Sequence, residues 1–192
     1  MKHFSNCKIL KTAPVPRLFL LVFLVTILSF FQVSTAFAAV KIQKSEAHLI
    51  IPRIKVNAVI KDMGLTPEGA MAIPANRVDV GWFSLGTRPG EIGSAVIGGH
   101  NRWDQKVAVF DHLNRLKKGD ILSVVDAKGI STSFVIRGMR TYDATDINSG
   151  IFASESGIHL NLITCSGFWN PITKSYTTRL VIFTDAIQIA IK

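Results

Sequence analysis

The chain has 192 residues, 48% of them hydrophobic, with 22 Lys and Arg against 13 Asp and Glu for a net charge of +9. That is the length of one domain plus a short extra segment, and the apolar content excludes a disordered chain. Two cysteines exclude a multi-disulfide scaffold and, with no second Cys or His at ligand spacing, a structural zinc site.

The first element is a leader. Residues 1–17 form a basic region holding Lys2, Lys8, Lys11 and Arg17 and no acid, so four of the nine net charges lie here and +5 remains for the rest. Residues 18–40 are apolar, beginning with 14 uncharged residues from Leu18 to Phe31. Basic residues before an apolar run, followed by Ala36-Phe37-Ala38, have the pattern of an export signal with a small-x-small cleavage site. Counted to Val40, the run also reaches the ~20 residues that span a bilayer. A retained single-pass anchor with its basic end inside and a cleaved signal peptide are both open, and either puts the working domain outside the cytoplasm. The leader also holds half of the 12 phenylalanines. With the charge so divided, and no basic stripe interleaved with Trp82, Trp103 and Trp169, nucleic acid is not an expected partner.

Residues 41–47 read as a polar linker and 48–192 as one domain. Its predicted strands are 48–54, 58–61, 94–98, 121–126, 132–140, 157–164 and 176–185, rich in β-branched residues and separated by turn clusters such as Thr66-Pro67-Glu68-Gly69 and Arg88-Pro89-Gly90. One helix is expected over 107–116, where Val107, Phe110, Leu113 and Leu116 share a face before Lys117-Lys118-Gly119. Many strands and one helix predict a barrel or sandwich.

Cys7 belongs to the leader, which leaves Cys165 as the one cysteine of the exported domain. It ends a strand in which Ile158, Leu160 and Leu162 share a face, and Ser166-Gly167 follow it. A rigid strand end next to a loop suits a nucleophile, although a lone buried cysteine is as readily inert. A reactive thiol needs a base or a cation nearby. His100, after Gly98-Gly99 at another strand end, and Arg179, inside an otherwise apolar strand, are candidates; a turn histidine and a solvated arginine are the bland alternatives. Asp104, Asp111 and Asp185 are possible orienters of His100, and His112 and His159 are read as structural or surface residues.

Asn161-Leu162-Ile163-Thr164-Cys165, with a histidine upstream and an arginine on the next strand, resembles the Thr-Leu-x-Thr-Cys strand end of the sortases, the exported cysteine transpeptidases of mainly Gram-positive bacteria. Further segments are similar in order: Ile51-Pro52-Arg53-Ile54-Lys55-Val56, Gly64 to Met71, Val80-Gly81-Trp82-Phe83, Arg88-Pro89-Gly90-Glu91 and Ser94 to His100. They look most like the class E and F group, and the likeness covers about residues 48–186. Asn161 departs from the usual Thr, a change expected to matter little.

The resemblance implies a closed eight-stranded β-barrel with one or two short helices, behind the N-terminal hydrophobic helix. It implies that Cys165 attacks the carbonyl after Thr in an LPxTG-like sorting signal and that the resulting thioester passes to an amine of a peptidoglycan precursor or pilin lysine. His100 would move the protons, Arg179 would stabilise the oxyanion, and Thr164 would add a substrate or oxyanion contact. The loop 143–156 would wall the groove. No cofactor or metal is implied, and the expected site is the outer face of the cell membrane. The alternatives are a sortase-fold thiol hydrolase without transfer, or an L,D-transpeptidase-like enzyme. The latter places its arginine very near the cysteine in a Ser-x-Gly-Cys motif, whereas Arg179 is 14 residues on. A papain-like protease reverses the order of Cys and His, and a β adhesion module has no use for the thiol.

Overall fold

The computed structural model describes residues 46–146, 149–152 and 156–187. The expected leader at 1–17 and 18–40 and most of the linker lie outside the described residues.

Side chains alternate between the two faces of a strand, and the apolar alternation of this chain closes into a barrel. Its strands are β1 (His48–Ile51), β2 (Val56–Met63), β3 (Val80–Phe83), β4 (Gly93–Gly98), β7 (Ile121–Val125), β8 (Ser131–Asp143), β9 (Ile158–Asn170) and β10 (Ser175–Ala186). They close in the order β1-β2-β3-β4-β9-β10-β8-β7, and a separate two-stranded hairpin joins β5 (Arg102–Trp103) to β6 (Lys106–Val107). Most neighbours are antiparallel, but β2 with β3 and β4 with β9 are parallel. Inward-facing Leu49, Ile51, Leu122, Phe134, Leu160, Leu162 and Ile182 are buried in one core.

The seven expected strands are present with shifted ends. The first stops at Ile51 because Pro52 starts a single 3-10 turn (Pro52–Ile54) that closes at Lys55 in left-handed backbone, returning the chain as β2. β3 was not expected, since Val80-Gly81-Trp82-Phe83 is short and holds a glycine. Its Gly81 is required by close approach, because a Cβ there would lie 2.5 Å from Met63 Cγ.

The helix expected over 107–116 is not formed. Lys106–Val107 is β6, and the remainder is a chain of turns with a 3-10 turn at Leu113–Arg115. Asp111, Leu113, Arg115 and Leu116 donate to Ala108, Phe110, His112 and Leu113, each three residues back, so no four-residue helical ladder starts. Phe110, Leu113 and Leu116 are nevertheless buried in the core, while Val107 is 53% exposed. The apolar spacing reported burial correctly and conformation wrongly, over a segment too short to sustain a helix by itself.

Gly99 lies between the core and the end of β4. A Cβ there would meet the Phe110 ring at 2.7 Å and Val109 Cγ1 at 3.0 Å. Gly99→Ala is expected to destabilise the domain by about 1–3 kcal/mol through overpacking. Gly64→Ala, where nothing lies within 4 Å of the added carbon, is expected to change stability by a few tenths of that; urea unfolding of both variants measures the difference.

Candidate active site

The parallel β4–β9 ladder sets the level of the site. Ile97 pairs with Leu162 and Gly98 with Ile163, and the Gly99 N–H continues the ladder to the Ile163 carbonyl at 3.2 Å. His100 and Cys165 each stand two residues beyond the last paired couple, on neighbouring chain segments running the same way. Parity sets the direction. Leu160 and Leu162 point into the barrel, so Ile163 and Cys165 point outward; Gly99 faces Phe110 inside, so His100 points outward too. On the other side of β9, Arg179 of β10 is the register partner of Cys165, and directly opposed residues share a face. Three residues separated by up to 79 positions thus meet on one outer surface at one end of the barrel.

Thr164 points the other way. It is buried, and its hydroxyl donates to the Gly99 carbonyl at 2.8 Å, tying the residue before Cys165 to the residue before His100.

Cys165 is partly buried and unpaired by any disulfide. Desolvation raises its thiol above the ordinary range, and the positive charge of Arg179 acts against that rise. His100 is shifted down from the usual histidine range, chiefly by desolvation, against a hydrogen bond to the Pro74 carbonyl. Its Nε2 lies 3.0 Å from that carbonyl oxygen, which can only accept, so Nε2 carries the hydrogen and Nδ1 of the neutral ring holds the free lone pair. Trp103 of the β5–β6 hairpin packs against the imidazole at a tilt of 50°, with 4.6 Å between ring centroids. The resting pair is therefore a neutral thiol and a neutral imidazole.

Arg179 is held by its own strand. Nη1 donates to the Tyr176 and Thr178 carbonyls, each at 3.0 Å, and Nη2 to Ser175 Oγ at 3.2 Å. These contacts use three of the guanidinium's five N–H groups. They are possible because the β9–β10 register shifts between Tyr176 and Thr178 beside Gly167, which is left-handed and where a Cβ would lie 2.4 Å from Thr177 Oγ1.

The outer face below the three residues is apolar. Val96, Ile151 and Val181 form a second buried cluster, with Met71, Phe83 and Ile163 packed on it. Asn161 lies buried under this layer, and its amide donates to the Ile151 carbonyl at 2.7 Å, pinning the turn Ser149–Ile151 of the β8–β9 loop to β9. The residue at this position thus has a structural part, its amide joining the strand to a loop carbonyl. The β2–β3 loop closes the opposite side through Ile73, whose Cδ1 would touch a Cβ on Gly98 at 2.3 Å.

None of the aspartates considered as orienters holds His100. Asp185 binds His159 Nδ1 at 2.8 Å and Arg137 at 3.2 Å, and Asp111 binds His112 and Arg102. Asp104 lies at the β5–β6 turn in left-handed backbone. The partner in their place is a backbone carbonyl, which no side-chain pattern encodes. Pro74 and Ser175 are contributors that motif reasoning passes over, while Trp103 and Asn161 stand out in sequence without these roles.

Comparison with known proteins agrees with this fold. The sequence matches the family described as Sortase domain over residues 49–187. Among solved structures, sortase C1 of Streptococcus agalactiae in complex with MTSET superposes with a TM-score of 0.59 at 20% identity, covering 77% of this chain and 70% of that one. Sortase C-1 from Actinomyces oris gives 0.59 at 22% identity over 74% of each chain, and a lid mutant of sortase A from Corynebacterium diphtheriae gives 0.60 at 17%, over 77% of this chain and 72% of that one. No curated protein matches the sequence significantly. At these identities the structures establish the shared barrel, and the domain match extends over most of the sequence: the chain belongs to the sortase family.

Proposed function

We propose that this chain is an exported, membrane-held cysteine transpeptidase of the class E and F type. It cleaves an LPxTG-like sorting signal after Thr and transfers the acyl group to an amine of the cell wall or of a pilin subunit. The observation that carries the reading is the direct opposition of Cys165 and Arg179 across β9 and β10, level with His100 at the end of β4. The basic and apolar leader at 1–40 supports placement on the outer side of the membrane.

In this reading the Cys165 proton passes to Nδ1 of His100 as sulfur attacks the Thr carbonyl carbon. The carbonyl oxygen takes up negative charge, and the N–H groups of Arg179 not committed to Ser175, Tyr176 and Thr178 stabilise it. The imidazolium gives its proton to the departing amine, the C–N bond breaks and a thioester remains. An incoming amine loses its proton to His100, attacks the thioester and restores the thiol. Thr164 serves this chemistry through Gly99, by fixing the height of His100 relative to Cys165.

The test is cleavage of a quenched LPxTG-type peptide by the full chain, with faster release when hydroxylamine or a short amine is added, and a mass adduct on Cys165. Full activity in Cys165→Ala would falsify the thiol mechanism; release indifferent to amines assigns the chain to hydrolysis without transfer. Arg179→Ala is expected to lower kcat by about 10²–10³, the usual effect of losing an oxyanion donor, with little change in melting temperature. A second measurement is alkylation of Cys165 by iodoacetamide against pH. Because burial raises the thiol, the reaction should rise along a curve displaced above that of an exposed cysteine. Arg179 is the counteracting charge, so Arg179→Ala should move the curve to still higher pH and Arg179→Lys should move it less; an unshifted Arg179→Ala curve removes arginine from the electrostatics of the thiol.

A further inference from the structure

The hairpin that follows Cys165 ends in residues unsuited to water. Phe168 is 83%, Trp169 54% and Ile172 91% exposed. Trp169 packs edge-on against Tyr176, with ring centroids 5.4 Å apart, so the tip is an ordered apolar knob with two aromatics set together. From Ser166 to Thr184 the chain has no acidic residue, while Lys174 stands at the tip in left-handed backbone. The β5–β6 hairpin leaves the same end of the barrel directly after His100 and repeats the composition, with Trp103 38% and Val107 53% exposed beside exposed Arg102 and Lys106. Its acid Asp104 is at the turn, and Arg102 is engaged by Asp111. Both hairpins grow from the ends of the parallel pair β4 and β9, so both project from the catalytic end.

Large exposed apolar groups concentrated at one end of a domain mark an interaction surface. Tryptophan and tyrosine with lysine and arginine beside aliphatic side chains are the composition of the bilayer interface, where aromatic rings sit at headgroup level and cations meet lipid phosphates. We propose that the catalytic end of the barrel docks on an anionic lipid bilayer, with Phe168 and Ile172 inserted below the headgroups and Lys174 at the phosphates. This rests on the membrane placement proposed above and adds an orientation to it: the thiol, on the barrel wall at the docked end, stands close to the bilayer surface, within reach of a sorting signal emerging from it.

The experiment uses the full chain reconstituted in vesicles of two-thirds phosphatidylcholine and one-third phosphatidylglycerol, with the phosphatidylcholine either plain or brominated near its headgroup. The Trp169 contribution is obtained by difference against Trp169→Phe. The expected result is a blue-shifted Trp169 emission that brominated lipid quenches, and loss of both the shift and the quenching in Phe168→Ser/Ile172→Ser. That double variant should still cleave a short soluble LPxTG-type peptide at the unaltered rate and lose turnover several-fold on the same peptide carrying an apolar anchor in the vesicle. Trp169 emission indifferent to bromine overturns the proposal, as does quenching that survives the double substitution. So does chemical cross-linking of the two hairpins between copies of the chain without any lipid quenching, which would make a second copy the occupant. Quenching in a chain that cleaves no peptide would leave the docking standing and remove the transpeptidase reading, so the two fail separately.

Discussion

The parallel pairing of β4 with β9 is the constraint on which the site depends. An antiparallel neighbour would deliver the residue after β4 to the opposite end of the barrel from Cys165. A parallel neighbour needs a long connection, here the 59 residues between Gly98 and Ile158 that make β5 to β8. What that connection yields is co-termination, since two strands running the same way place His100 and Cys165 at one level. The antiparallel partner β10 then supplies Arg179 from the chain's return. One parallel and one antiparallel neighbour of a single strand thus assemble three side chains from distant parts of the sequence, and the buried bond from Thr164 to the Gly99 carbonyl fixes the parallel seam at the level where register matters.

Much of this was legible in sequence because it depends on local pattern. Leu160 and Leu162 alternate as a strand does, but the strand end expected at Thr164-Cys165 is not there: β9 runs on to Asn170, and Ser166-Gly167 marks only a register shift against β10. Gly98-Gly99 announces a close approach, and Gly99 is the glycine that needs it, against the Phe110 ring, whereas at Gly98 only the flexible tip of Ile73 would have to move. The failures share a cause. Phe110, Leu113 and Leu116 recur at helical spacing, yet a chain of turns that dips repeatedly into one core gives the same spacing without the four-residue hydrogen bonds. β3 has only four residues and is held by its neighbours β2 and β4, so its own composition says little.

The acceptors that orient the site are invisible to motif reasoning for a different reason. His100 is held by the carbonyl of Pro74, and Arg179 by the carbonyls of Tyr176 and Thr178. Every residue has a carbonyl, so sequence carries no sign of which one is used. The expectation that an aspartate would orient His100 follows from the chemistry of charged triads; in this fold the acids considered have other partners, Asp185 joining His159 to Arg137 and Asp111 joining His112 to Arg102. A carbonyl fixes the tautomer as an aspartate would, without the negative charge that would favour imidazolium.

That absence of charge is consistent with the state of the thiol. A carboxylate on His100 would favour the imidazolium and thereby the thiolate, the species most exposed to oxidation. With desolvation raising Cys165 and lowering His100, the site rests as a neutral pair, and Arg179 offsets only part of the cost of charging the sulfur. The price is a nucleophile mostly in its less reactive form. In the proposed reading of an exported enzyme the exchange is favourable, because a thiol that ionises only as its proton is taken by a neighbouring base is less open to oxidation. Arg179 keeps its positive charge beside the sulfur because its guanidinium is held by the Ser175 hydroxyl and the Tyr176 and Thr178 carbonyls, none of which is an acid.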